Sequence, residues 1–120
     1  MLTLIPFQDD RVVGARISGK ITRPEFDIVA AALEEALARH DRVRFYVEME
    51  TFGGVAMDAL FEDLKFGLRH WQQFEREAVV TDKDWMRRLG VLADKLLPSI
   101  EVKVFACDEQ DSAKAWICER

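Results

Sequence analysis

The feature that most limits what this chain can fold into is the repeat of its apolar residues. It switches several times between a period of two and a period of 3.6. Such switching marks alternating strands and helices packed in layers. Residues 1–7 and 11–18 are β-rich runs separated by Gln8, Asp9 and Asp10, a polar turn that predicts a hairpin. Gly14, inside the second run, predicts a bulge or a close backbone approach. Thr22 and Glu25 read as a capping box, with Pro24 placed where its missing donor is unused. Phe26, Val29, Ala30, Leu33 and Leu37 then recur on one helical face, and Arg39 and His40 bring positive charge to the last turn, where it suits the dipole.

Val43, Phe45, Val47 and Met49 alternate with Arg44, Tyr46, Glu48 and Glu50, which predicts a half-buried strand. After the loop Thr51-Phe52-Gly53-Gly54, a helix is expected over residues 56–73. Its stripe is Met57, Leu60, Phe61, Leu64, Leu68 and Trp71, and Phe66 lies almost opposite. Residues 77–81, short and largely apolar, read as a central strand buried on both faces. The next helix starts at Asp82 or Asp84 and runs to Leu97, ahead of Pro98, with Trp85, Leu89, Leu92 and Leu96 as its stripe. Gly90 costs that helix about 1 kcal/mol relative to Ala, which points to a close contact or a hinge. Ile100, Val102 and Val104 alternate in a last strand, and a terminal helix from Asp111 carries Ala113, Trp116 and Ile117. The expected fold class is α/β: a single domain over residues 1–120, with a largely parallel five-stranded sheet, an antiparallel edge hairpin and four helices.

Composition narrows the function. Seventeen Lys+Arg against 22 Asp+Glu, a net charge of −5, argue against a nucleic-acid binder that relies on a basic surface. An apolar share of 49% argues against disorder. No apolar run approaches the roughly 20 residues of a membrane span, and no signal-peptide pattern opens the chain, so a cytoplasmic location is expected. Cys107 and Cys118 form no disulfide framework and are expected as free thiols. Ser18, Ser99 and Ser112 have no Gly-x-Ser-x-Gly elbow, and His40 and His70 stand thirty residues apart. No catalytic residue, metal or cofactor is therefore expected, and the chain reads as a non-enzyme. Gly53-Gly54 ahead of a helix could present N–H groups to an anion, but no Lys follows in P-loop position, and a plain turn is the simpler reading.

The run Phe61-Glu62-Asp63-Leu64-Lys65-Phe66 and the later Phe74-Glu75-Arg76-Glu77-Ala78-Val79-Val80-Thr81-Asp82, with Trp85 beyond it, resemble the SpoIIAA-like group of STAS-type domains. Gly19-Lys20-Ile21-Thr22, Phe52-Gly53-Gly54 and Ala115-Trp116-Ile117 add to the resemblance, which spans nearly all the chain. The group takes its name from sulphate transporters and anti-anti-sigma factors, and the CRAL-TRIO lipid-carrier domain is a neighbouring structural idea. Anti-anti-sigma members are switched by phosphorylation of a serine at the start of the helix after the third strand. Here that stretch reads Glu50-Thr51-Phe52-Gly53-Gly54-Val55-Ala56, and its one hydroxyl, Thr51, precedes the glycines.

Two functions from different classes follow as expectations. In the first, a binding module takes a small hydrophobic, lipid-like ligand in an apolar crevice. Phe52, Phe66, Trp85 and Trp116 line or gate that crevice, and Gly53 and Gly90 give it room to open. Peripheral membrane contact would use Lys83, Arg87, Arg88 and Lys95, which equally suit an ordinary solvent-facing helix. In the second, the alternative, the chain is a protein–protein regulator of the anti-anti-sigma kind, docking through Phe52, Gly54 and Phe66. Off-stripe apolar residues such as Ile28, Phe66 and Val91 would also suit a homodimer.

Overall fold

The computed structural model of the chain describes residues 1–49, 71–82, 84 and 100–119. Strands β1 (Leu2–Ile5) and β2 (Val12–Ile17) run antiparallel, with Leu2 opposite Ile17 and Ile5 opposite Gly14. Strands β3 (Val43–Met49), β4 (Phe74–Val80) and β5 (Glu101–Phe105) continue the sheet in parallel, in the order β1-β2-β3-β4-β5. The mainly parallel sheet with an antiparallel edge strand is therefore present as expected. The first two strands are shorter than their β-rich runs because the polar turn extends over residues 6–11. Asp9 shapes it: its Oδ1 accepts the Arg11 N–H at 3.0 Å and its carbonyl accepts the Val12 N–H at 3.1 Å.

Of the two readings of Gly14, the structure selects close approach. Its register with Ile5 and Tyr46 is unbroken, and the sheet's irregularity lies between Val43 and Arg44. A Cβ on Gly14 would stand 2.5 Å from Phe7 Cε1 and 2.8 Å from the Ile5 carbonyl oxygen. The oxygen belongs to the sheet and cannot step aside. Gly14→Ala should therefore lose about 1–2 kcal/mol in urea unfolding, as overpacking does; an unchanged midpoint would show that Phe7 and β1 yield freely.

Helix α1 (Arg23–Arg39) covers one face of the sheet. Glu25 ties its entry to the edge strand. Oε1 accepts the Thr22 N–H at 3.1 Å and the Thr22 hydroxyl at 2.9 Å, while Oε2 accepts the Leu2 N–H at 2.7 Å. Val29, Leu33 and Ala36 are buried against Val13, Ala15 and Val43. Ile28 stays 54% exposed, off the stripe as its position predicts. His40 ends the helix, donating its backbone N–H to the Ala36 carbonyl at 2.9 Å, and its Nε2 lies 2.9 Å from Asp10 Oδ1.

The second α-helix described in full, α2 (Gln110–Cys118), follows a short 3-10 turn at Cys107–Glu109 and lies on the other face. Ala113 and Ile117 pack there on Val12, Tyr46, Ala78, Val80 and Phe105. This corrects the half-buried reading of β3. The strand is the middle one of five and both its faces are covered, so Arg44, Tyr46 and Glu48 are buried rather than solvated. The cause is α2: an amphipathic helix of nine residues needs a sheet face, and the polar positions of β3 lie on the face it takes.

β4 is interior, between β3 and β5, but it is not the middle strand that residues 77–81 were expected to form. Ala78, Val79, Val80 and Thr81 are buried, whereas Glu77 is partly exposed. Trp71–Gln73, expected as the last turn of an α-helix, form a 3-10 turn leading directly into β4. The rest of that helix, and nearly all of the one expected to end at Leu97, lie outside the described residues. Among the described residues no helix is long and apolar enough to cross a membrane.

Candidate functional site

Alternation along β3 places Arg44, Tyr46 and Glu48 side by side on the face under α2. Register sets Arg16 of β2 opposite Glu48 and Arg76 of β4 opposite Arg44. Glu48 is 1% exposed. Its Oε1 accepts the Tyr46 hydroxyl at 2.6 Å, its Oε2 accepts Arg16 Nε at 2.9 Å, and Lys114 Nζ of α2 stands 3.9 Å away. Burial alone would raise the Glu48 pKa. The hydrogen bonds from Tyr46 and Arg16, with the charges of Arg16 and Lys114, outweigh it and hold the carboxyl below its ordinary value. Burial first, and then the Glu48 carboxylate, push the Tyr46 phenol well above its usual range. At neutral pH Glu48 is ionised and Tyr46 keeps its proton, so the pair is bonded within β3 while Lys114 of α2 faces the carboxylate.

The two arginines close the far end of α2. Arg44 Nη1 donates to the Ile117 carbonyl at 2.8 Å and to that of Glu119. Arg76 Nη1 donates to the Trp116 carbonyl at 3.0 Å and to that of Glu119 at 2.9 Å. The last carbonyls of a helix have no partner within it, and they form the negative end of its dipole. Two guanidiniums are well matched to both needs. Their mutual repulsion across the register is eased by Glu75, which accepts Arg44 Nε at 3.0 Å, and by Glu101, 3.7 Å from Arg76 Nε. The Arg44 contact holds the Glu75 carboxyl below its ordinary pKa. Trp116 lies in the same corner. The Arg76 guanidinium is 5.3 Å and Lys103 Nζ 5.6 Å from its ring centroid, and the Phe105 ring is 6.0 Å away.

Beside this corner, Gln8, Asp9, Arg11, Arg44 and Glu75 line an open cleft of about 650 Å³. Arg11 grips Asp9 with both prongs, Nε to Oδ1 at 3.1 Å and Nη2 to Oδ2 at 2.8 Å, which brings the Asp9 pKa down to about 2. A second groove of about 590 Å³ shares Gln8 and Asp9 with the first and runs past Ile5, Pro6, Phe7 and Ala115. The Phe7 ring stands edge-on to Tyr46, centroids 5.2 Å apart. Cys107 and Cys118 are free, as expected, and burial raises both thiol pKa values, which lowers their thiolate fraction at neutral pH. Among the described residues no cluster of His, Cys, Asp and Glu could hold a metal ion.

Of the residues singled out from sequence, Phe52, Gly53, Gly54, Phe66 and Trp85 lie outside the described residues. Trp116 is half-buried, its ring between two cations. The sequence reading missed Arg44, Tyr46, Glu48 and Arg76 as a group. A usable signal was present: β3 carries a cation, a phenol and a carboxylate at alternate positions, and an amphipathic terminal helix needs somewhere to pack.

The fold is that of a small α/β domain with a mainly parallel five-stranded sheet. Residues 12–118 match the SpoIIAA-like family model, and the chain belongs to the SpoIIAA-like family. It is also similar to an uncharacterized protein with a SpoIIAA-like fold from Shewanella loihica PV-4, with 25% sequence identity and a TM-score of 0.75. That similarity covers 98% of this chain and 93% of the other. No curated protein matches the sequence.

Proposed function

We propose that this chain is a non-enzymatic regulatory domain that docks a protein partner in the manner of STAS-type anti-anti-sigma proteins. The observation that carries the reading is the SpoIIAA-like match, which extends over nearly the whole domain. The interior supports it. Glu48, Tyr46, Arg44, Arg76 and Asp9 bond to one another or to backbone, which makes a stiff frame of the kind that presents a recognition surface. The docking surface in this reading is the segment after β3, expected from sequence as a loop and a helix, with Phe52, Gly54 and Phe66 as contacts. Thr51 is the one hydroxyl there and precedes the glycines, so exchange of partners does not run through a serine at the helix start.

Crosslinking in cells followed by affinity purification tests this reading. A specific protein should be recovered with the wild-type chain and reduced about tenfold by Phe52→Asp or Phe66→Asp, as for loss of an aromatic anchor. Circular dichroism would establish that both variants remain folded. Equal recovery with folded variants would overturn the assignment.

A further inference from the structure

We propose that the outer edge of β1, with the flank of α1 beside it, pairs with the same edge of a second copy of this chain through a two-fold axis at Leu4. Among the described residues the exposed large apolar side chains are Met1, Leu4 and Ile28, and the last two stand together here. Met1 and Ser18 exchange bonds across β1 and β2, so Thr3 and Ile5 also face β2, while Leu2 and Leu4 turn their N–H and C=O groups outward. Glu25 holds the Leu2 N–H. The N–H and C=O of Leu4 meet no partner among the described residues. Chain direction sets Ile28 beside them. β1 is antiparallel to β2, and α1, which returns from β2 to the parallel β3, runs the same way as β1. The bond from Leu2 to Glu25 fixes the level. Two residues on along the strand and three along the helix, about 7 Å and about 5 Å, bring Leu4 level with Ile28. Leu4 shares the sheet face of Leu2, which packs on the α1 cluster.

The shape of the patch selects its occupant. It rises through two layers, a strand edge and a helix flank, so an extended peptide alone would cover Leu4 and leave Ile28 in water. A second copy brings strand and helix together. Turned by a two-fold, it sets Leu4 opposite Leu4 in an antiparallel pair whose outward N–H and C=O groups satisfy each other, and it joins the two sheets edge to edge. Charge permits the approach. Within one turn of Ile28 this flank of α1 carries Pro24, Ala31, Ala32 and Glu25, and Glu25 is engaged by Leu2 and Thr22. Two chains of net charge −5 can therefore meet here without a loose carboxylate between them. Pro6, next in the outward row, has no N–H, and that of Leu2 is occupied, which confines the pairing to Leu4 and opposes other registers. A contact of this size makes a transient dimer rather than an obligate one.

Sedimentation equilibrium of the full chain, with ¹⁵N spectra and amide exchange over the same range of concentration, tests the proposal. A monomer–dimer equilibrium is expected with a Kd at or below about 1 mM. The Leu4 amide should shift and gain protection as concentration rises, while that of Thr3, already bonded within the sheet, holds its place. Leu4→Lys and Ile28→Lys replace exposed side chains and should stay folded by circular dichroism, and each should weaken association about tenfold or more. If either variant unfolds, the Leu4 amide of the wild-type chain decides alone. A monomer at every concentration, unchanged association in both folded variants, or a dimer to which the Leu4 amide does not respond would overturn the proposal. Phe52 and Phe66 are untouched in this test, so this reading and the docking reading fail separately.

Discussion

Glu48→Leu should destabilise the protein by about 2–3 kcal/mol, most of it from one orphaned hydroxyl. The three partners of Glu48 do not suffer equally. Arg16 and Lys114 have side chains 44% and 40% exposed, so both can turn to water when the carboxylate is removed. Tyr46 is fully buried and its phenol has nowhere else to donate among the described residues. Adding Tyr46→Phe to Glu48→Leu removes that orphan, so the double variant should be more stable than the sum of the singles by about 1 kcal/mol or more. Additive effects in urea unfolding would show that the pair is not coupled.

The same residue sets part of the acid response. The Glu48 pKa is depressed in the folded chain, so its contribution is present above the ordinary carboxylate pKa and is lost as pH falls through the depressed value. Asp9, at about 2, follows the same sign between its ordinary value of 3.8 and that figure. Glu48→Leu should therefore lose less stability on acidification than the wild type. A parallel fall in both would locate the acid sensitivity elsewhere.

Arg44→Met should cost about 2 kcal/mol and act mainly on α2. Met approximates the buried volume but leaves the Ile117 carbonyl without its donor, while Arg76 still serves those of Trp116 and Glu119. Glu75 is 36% exposed and recovers its hydration, so no charge is stranded in the interior. Amide exchange should therefore quicken in α2 while β2 and β3 stay protected. Uniform quickening across the sheet would mean that Arg44 supports the whole domain rather than the end of one helix.

Much of the architecture was legible in sequence because each element was marked by its own period. α1 announced itself through Thr22, Glu25 and a stripe of apolar residues, and the edge hairpin through a polar turn between two β-rich runs. What could not be read was which sheet face α2 would choose. The period of β3 separates its two faces, but it does not say that the polar one is also covered. Arg44, Tyr46 and Glu48 look like a solvated row until Ala113 and Ile117 are placed over them. The arginine corner was hidden for the same reason, because Arg44 and Arg76 are far apart along the chain and meet only through parallel register. The aromatic and glycine contacts expected at Phe52, Gly53, Gly54, Phe66 and Trp85 rest on sequence alone.

The bond from Arg44 to Ile117 spans 73 residues, and this separation has a consequence during synthesis. A nascent chain that has already released β3 holds Arg44 without the Ile117 and Glu119 carbonyls, and the polar face of the strand uncovered, until α2 leaves the ribosome. The domain therefore cannot lock from its amino end forwards. α2 covers this face, and any delay before it emerges prolongs the interval in which chaperones can engage the uncovered strand.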